Sequence, residues 1–212
     1  MISIEKTEKP AILKDKEETW KDELMEYIEK NEEIPKTVIG RYNHKEIKEA
    51  LLKETNNKCA YCESKILHID YGDIEHIEPK SMFREKTFDW NNLTIACGKC
   101  NQSKGSYHSL TNPLLNPYVD QVENEIVFAG PFPYSTSNKS EVTIKKLKLD
   151  RVDLIEKRKE ALDKLQPFIY KYQITKDEEL RQMFLEDILG YVQKDKEYSS
   201  MLNQNLKLFN LL

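Results

Sequence analysis

The residues with most chemistry lie in one stretch. The chain has four cysteines, arranged as two pairs, Cys59-x-x-Cys62 and Cys97-x-x-Cys100, with 34 residues between the pairs. Two residues between thiolates let both reach one metal ion from a tight turn. Two such turns complete a tetrahedral sulfur site, the geometry Zn²⁺ prefers. A thioredoxin-like redox pair needs no second pair, and disulfides are disfavoured in a reducing cytoplasm. The spacing therefore predicts a structural Zn²⁺ on Cys59, Cys62, Cys97 and Cys100. With four thiolates there is no exchangeable position, so this zinc is not expected to catalyse.

Two runs lie between and across these pairs. Residues 72–81 read GDIEHIEPKS, and residues 91–105 read NNLTIACGKCNQSKG. An acid and His followed by Ile-x-Pro, then Asn-Leu five residues before C-x2-C-Asn-x-x-Lys-Gly, resembles the HNH (ββα-metal) nuclease family. The resemblance implies a metal-dependent endonuclease that hydrolyses DNA. In that family the His ends one strand of a β-hairpin, the last motif residue sits on a helix crossing it, and the metal lies between. Here the last motif position is Asn101, not the His of the family's name. An amide oxygen is harder than an imidazole nitrogen, which favours Mg²⁺ or Mn²⁺.

Cutting a phosphodiester needs a water nucleophile, a base to deprotonate it and a cation for the developing charge. His76 suits the base, because an imidazole titrates near neutrality. Glu75 and Asn101 offer hard oxygen ligands for one divalent ion. Asn92 is expected to hydrogen-bond locally and pin the loop that orients His76. Lys104 lies three residues beyond Asn101, on the same face if a helix starts near Cys97. It is a candidate phosphate contact, or else an ordinary solvated lysine. His108 is a candidate supplementary ligand or phosphate contact, or else a loop residue. Strand alternation puts residues 73 and 75 on one face and His76 on the other, so the strand must end or twist near Glu75. A competing assignment makes Asp73 the ligand. The family motif places the acid directly before the His, which favours Glu75. His44 and His68 read as structural or exposed.

The elements that must position these residues are mostly helical. The fold class expected is mainly α with a small ββα-metal nuclease core. A four-cysteine zinc knuckle brackets the motif, and helical N- and C-terminal flanks surround it. Residues 1–58 form the N-terminal flank, 59–110 the zinc-stapled core, and 111–212 a loop region followed by a helical C-terminal flank, all in one compact unit. Residues 14–31 carry Trp20, Leu24, Tyr27 and Ile28 at helical spacing, and Pro35 ends that region. Residues 43–55 form a second helix with Asn43 as its N-cap. Residues 111–140 hold Pro113, Pro117, Pro131 and Pro133 and read as loops around one strand at 125–129. Residues 141–195 return to helix, with Pro167 kinking or stopping one of them. The end, 201–212, is a helix whose stripe of Leu202, Leu206 and Phe209 reads as core.

Composition limits the partners. Apolar residues are 39% and charged residues 33%, so a sizeable core sits under a strongly charged surface. The net charge is -4. It is spread as about -2 over 1–58, about -1 over 59–110 and about -1 over the rest, with no basic block. That opposes a simple DNA-binding module. No apolar run approaches the roughly 20 residues that span a membrane, and no signal-peptide stretch opens the chain. A cytoplasmic protein is expected. A finer resemblance rests on HKEIKEALLKE before CAYCE, IEHIEPKS, NPYVD at 116–120 and TIKKLKLDR at 143–151. These runs are similar to the HNH nuclease subunits of Septu and retron-linked anti-phage systems, which implies an SMC/ABC-like ATPase subunit as partner. Residues 172–212 carry nothing tied to that subgroup. A phage, restriction or mobile-element HNH nuclease is the alternative within the class. A non-catalytic zinc module that binds DNA or protein is the alternative outside it, and the intact His76, Asn92 and Asn101 set argues against it. The acidic balance predicts a chain that cuts but does not capture DNA. The apolar faces of the first helix and of 201–212 are the expected docking surfaces for the partner.

Overall fold

Local sequence places the helices. In the computed structural model, which describes residues 1–66 and 72–208, α1 (Ala11–Glu29) starts behind Pro10, three residues earlier than the apolar spacing indicates. A proline can occupy that boundary because its missing N–H is not needed there. Leu13 and Leu24 are buried, and the Trp20 ring meets Phe88 edge-on at 5.6 Å. Pro35 does not only end a segment. It caps a short α2 (Lys36–Ile39), which runs into a 3-10 turn, Gly40–Tyr42. The next helix, α3 (Lys45–Glu54), is capped by His44 and not by Asn43: the imidazole accepts from the Glu46 N–H. His44 is thus structural, while His68 lies outside the described residues.

The core hairpin follows. β1 (Asp73–His76) and β2 (Leu93–Ala96) pair antiparallel, with Asp73 opposite Ala96 and His76 opposite Leu93. Directly after β2, Cys97 caps α4 (Gly98–Lys104), which packs on β1. This is a two-strand, one-helix unit inside a mainly helical chain.

The region expected to be loops around one strand holds two strands. After the short α5 (Val122–Glu125), β3 (Ile126–Ala129) pairs antiparallel with β4 (Phe132–Ser135). Pro133 hid β4 from sequence reading. In a two-stranded sheet β4 is an edge, where a missing donor is tolerated. The outer edge of β3 is covered by side chains of the last helix: Phe128 N–H donates to Gln204 and Gly130 N–H to Asn205.

The C-terminal flank comprises α6 (Asn138–Lys146), α7 (Val152–Ile174), α8 (Glu178–Tyr191) and α9 (Ser199–Leu208). Pro167 does not stop α7. It and Asp163, whose carbonyl loses its partner four residues on, are both exposed, so water can serve that carbonyl. Leu202 and Leu206 are buried, as the core reading of that stripe requires, and Phe209 lies outside the described residues. Since the apolar faces of α1 and α9 are packed against the core, neither is open as the docking surface expected of it. Among the described residues, no helix is long and apolar enough to cross a membrane.

Candidate active site

The four thiols converge. Sγ atoms of Cys59, Cys62, Cys97 and Cys100 lie within 4.8 Å of one another, all buried. None is in a disulfide. Cys62 and Cys97 Sγ are 3.8 Å apart, and two vertices of a tetrahedron with Zn–S bonds of ~2.3 Å are separated by about that distance. The donor set therefore fits a structural zinc knuckle. Backbone bonds bring the pairs together. Glu63 N–H donates to Cys59 O, which closes the first turn, and Ala60 N–H donates to Ile95 O, which fastens that turn to β2 just before Cys97. Behind the knuckle, Glu63 takes Ser199 Oγ and the Ser200 N–H of α9, and Lys58 Nζ donates to Lys196 O at 2.9 Å. The C-terminal flank thus braces the first cysteine turn.

The β1–α4 contact brings the oxygen donors together. Asn101 Nδ2 donates to Asp73 Oδ2 at 2.8 Å, and Lys104 Nζ lies 2.6 Å from Glu75 Oε1. Residues two apart on a strand share a face, as do residues three apart on a helix. Asp73 and Glu75 therefore meet Asn101 and Lys104 as two rungs. Asp73 is exposed and Glu75 buried. Burial pushes the Glu75 carboxyl up, opposed by the charge of Lys104. With its NH₂ turned to Asp73, Asn101 keeps Oδ1 as a hard donor. Carboxylate and amide oxygens at this crossing suit Mg²⁺ or Mn²⁺.

His76 follows Glu75 on β1, and its ring makes other contacts. Nε2 is 2.9 Å from Thr87 O. The ring meets Tyr42 edge-on at 4.6 Å and 80°. A carbonyl can only accept, so Nε2 carries the proton and Nδ1 keeps a lone pair. Burial lowers the imidazole pKa to about 4, so His76 is neutral near pH 7. A neutral imidazole with its tautomer fixed by a backbone carbonyl can act as a base.

Asn92 pins the loop that supplies this carbonyl. Its Oδ1 accepts from Glu78 N–H, and its Nδ2 donates to Glu78 O and Lys86 O. Lys86 precedes Thr87, so the Asn92 amide holds the carbonyl that orients His76.

Lys104 is buried. Besides Glu75 it donates to His76 O at 2.7 Å, so in this arrangement it ties helix to strand inside the site. His108 packs edge-on against Phe83 at 4.7 Å. Sequence reasoning missed Tyr42 and Thr87. Tyr42 comes from the N-terminal flank, and no local pattern announces a ring that packs on a histidine 34 residues later.

A hairpin carries the acid and the His, and a crossing helix carries the Asn. Residues 59–107 match the model of the HNH endonuclease family. Over part of its length the chain is similar to Septu protein PtuB of Bacillus thuringiensis, 35% identical over 108 residues that cover 50% of this chain and 42% of that protein. Septu protein PtuB of Bacillus mycoides (strain KBAB4) is 31% identical over 150 residues, 55% of this chain and 51% of that protein. The chain has HNH-domain homology to Septu PtuB over this part, and it spans about half the length of the curated relatives it matches.

Proposed function

We propose that the chain is a divalent-metal-dependent endonuclease that hydrolyses DNA phosphodiester bonds in the cytoplasm. We further propose that it is the nuclease effector of an anti-phage complex with an SMC/ABC-like ATPase subunit. The observation that carries the catalytic reading is His76: neutral, with Nε2 committed to Thr87 O and Nδ1 left to accept a proton. The defence reading rests on the similarity to Septu PtuB.

His76 Nδ1 takes a proton from the attacking water as the water oxygen bonds to phosphorus, while the bond from phosphorus to the leaving sugar oxygen breaks and that oxygen takes a proton from solvent. Thr87 O holds the imidazole through this step and stabilises the imidazolium that results. Asn92 fixes the distance between Thr87 and the strand by its bonds to Glu78 and Lys86. Glu75 and Asn101 would hold Mg²⁺ or Mn²⁺, which when bound would offset the charge that develops on the phosphate oxygens. The four thiols hold one Zn²⁺ that has no part in the chemistry.

Relaxation of supercoiled plasmid by the purified chain, alone and with its ATPase partner, tests this. Nicking is expected with Mg²⁺ or Mn²⁺, lost with EDTA, and lost in His76→Ala. Equal nicking by His76→Ala overturns the mechanism.

A further inference from the structure

Lys80 differs from three of the lysines around the hairpin. Lys104 is paired with Glu75, Lys86 with Glu78 and Lys99 with Asp153. Lys80 has no carboxylate partner among the described residues. Its ammonium lies instead 4.8 Å over the centre of the Tyr42 ring. The same ring packs on His76 at 4.6 Å, so Tyr42 touches both the proposed base and an unneutralised cation. Arg84 also lacks a carboxylate among the described residues, but the charges that act on His76 are those of Lys80 and Lys104. Lys80 and Lys104 also act on Glu75. Lys104 is buried and committed, whereas Lys80 is half-buried.

The backbone under Lys80 is fixed. Asn92 bonds both the N–H and the carbonyl of Glu78, two residues earlier, and Pro79 O accepts from Met82 and Phe83 N–H. The long side chain can therefore swing from a fixed root. An ammonium over an aromatic face is held loosely enough to move to a stronger acceptor, and a phosphate oxygen is one.

We propose that Lys80 is the phosphate-gripping cation of this site, contacting a non-bridging oxygen of the nucleic-acid backbone, and that Tyr42 is a positioning residue that aligns Lys80 with His76. This rests on the nuclease reading above and adds a residue from the N-terminal flank, outside the 59–107 match, to the site.

The test uses full-length wild-type, Lys80→Ala, Lys80→Arg, Tyr42→Ala and Tyr42→Phe, each checked for unchanged melting temperature and zinc content. In single-turnover nicking with Mg²⁺, Lys80→Ala is expected to lose about 10²-fold, and Lys80→Arg to recover most of it. Tyr42→Phe should retain most of the rate that Tyr42→Ala loses, and adding Lys80→Ala to Tyr42→Ala should cost little more. Binding of an oligonucleotide in Ca²⁺ supplies a second readout. The slope of log affinity against log salt should fall by about 1 in Lys80→Ala. Lys80→Ala with wild-type nicking and an unchanged slope overturns the inference. If the wild type fails to nick in any metal, the nuclease reading fails, and the Ca²⁺ slope still decides whether Lys80 grips phosphate.

Discussion

Lys104 and Glu75 form a buried ion pair across the helix–strand crossing, 2.6 Å apart with side chains only 2% and 8% exposed. Two charges taken out of water are tolerated only as a pair, so removing one leaves the other stranded. Lys104→Met is expected to destabilise the fold by about 3–5 kcal/mol and to push the Glu75 carboxyl further up. Lys104→Met with Glu75→Gln should recover much of that loss. Urea unfolding of the wild type and the two variants measures it. An unchanged midpoint for Lys104→Met would show that the pair does not hold the crossing together.

The cysteine cluster makes a separate prediction. One zinc per chain should be found by elemental analysis, and Cys97→Ser should lose both the metal and the cooperative melt, because binding and folding are coupled in such sites. The brace from α9 to Glu63 implies that the C-terminal flank loosens with the knuckle. A soluble, fully active Cys97→Ser, or a zinc-free native protein, contradicts this.

His76 sets a pH dependence whose sign follows from its burial. Its folded pKa, about 4, lies below the ordinary value near 6.5. Between those values the unfolded chain binds a proton that the folded chain refuses. The contribution is fully present above pH 6.5 and is lost as pH falls toward 4. It amounts to at most about 3 kcal/mol. Wild-type melting temperature should therefore fall between pH 7 and pH 4.5 by more than that of His76→Gln. Equal falls would mean that the imidazole is not desolvated. The nicking rate should also lack the loss near pH 6.5 that an ordinary histidine base imposes.

Much of the site was legible because its signals are local. The cysteine spacing, the run from Asp73 to Lys80 and the helix start at Cys97 each follow from short-range patterns. The structure adds what long-range packing decides. Nothing near Lys104 in sequence says that Glu75 lies within 2.6 Å, so a phosphate contact looked as natural there as a buried tie. That Asn92 would hydrogen-bond locally was readable, while its two anchors, Glu78 and Lys86, were not. In the flanks, β4 was hidden by Pro133, and α7 runs through Pro167 because an exposed helix face offers water to the freed carbonyl. His44 took the cap from Asn43 because its ring nitrogen reaches the Glu46 N–H.

The proposed oxygen ligands can be separated by mutation. Glu75→Ala and Asn101→Ala should each raise the Mg²⁺ or Mn²⁺ concentration needed for nicking and cut the rate strongly. Asp73→Ala should do less, although Asp73 holds the Asn101 amide. Mn²⁺ binding read by electron paramagnetic resonance gives the affinity without turnover. Should Asp73→Ala abolish binding while Glu75→Ala keeps it, the ligand assignment moves to Asp73.

Charge sets the last prediction. A nuclease must hold a polyanion, and phosphate contacts supply most non-specific affinity. This chain carries a net charge of -4, and around the hairpin Lys86, Lys99 and Lys104 are each bound to a carboxylate. Few positive charges are left for DNA. The isolated chain should therefore bind duplex DNA weakly at physiological salt, with a salt slope of only a few phosphates, and should cut slowly. On the proposal that an ATPase partner supplies the basic surface, adding that partner should tighten binding and steepen the slope. Fluorescence anisotropy with and without the partner, over a salt series, reads both quantities. Tight binding with a steep slope by the isolated chain, together with unrestrained cutting, would refute the division of labour between capture and cleavage.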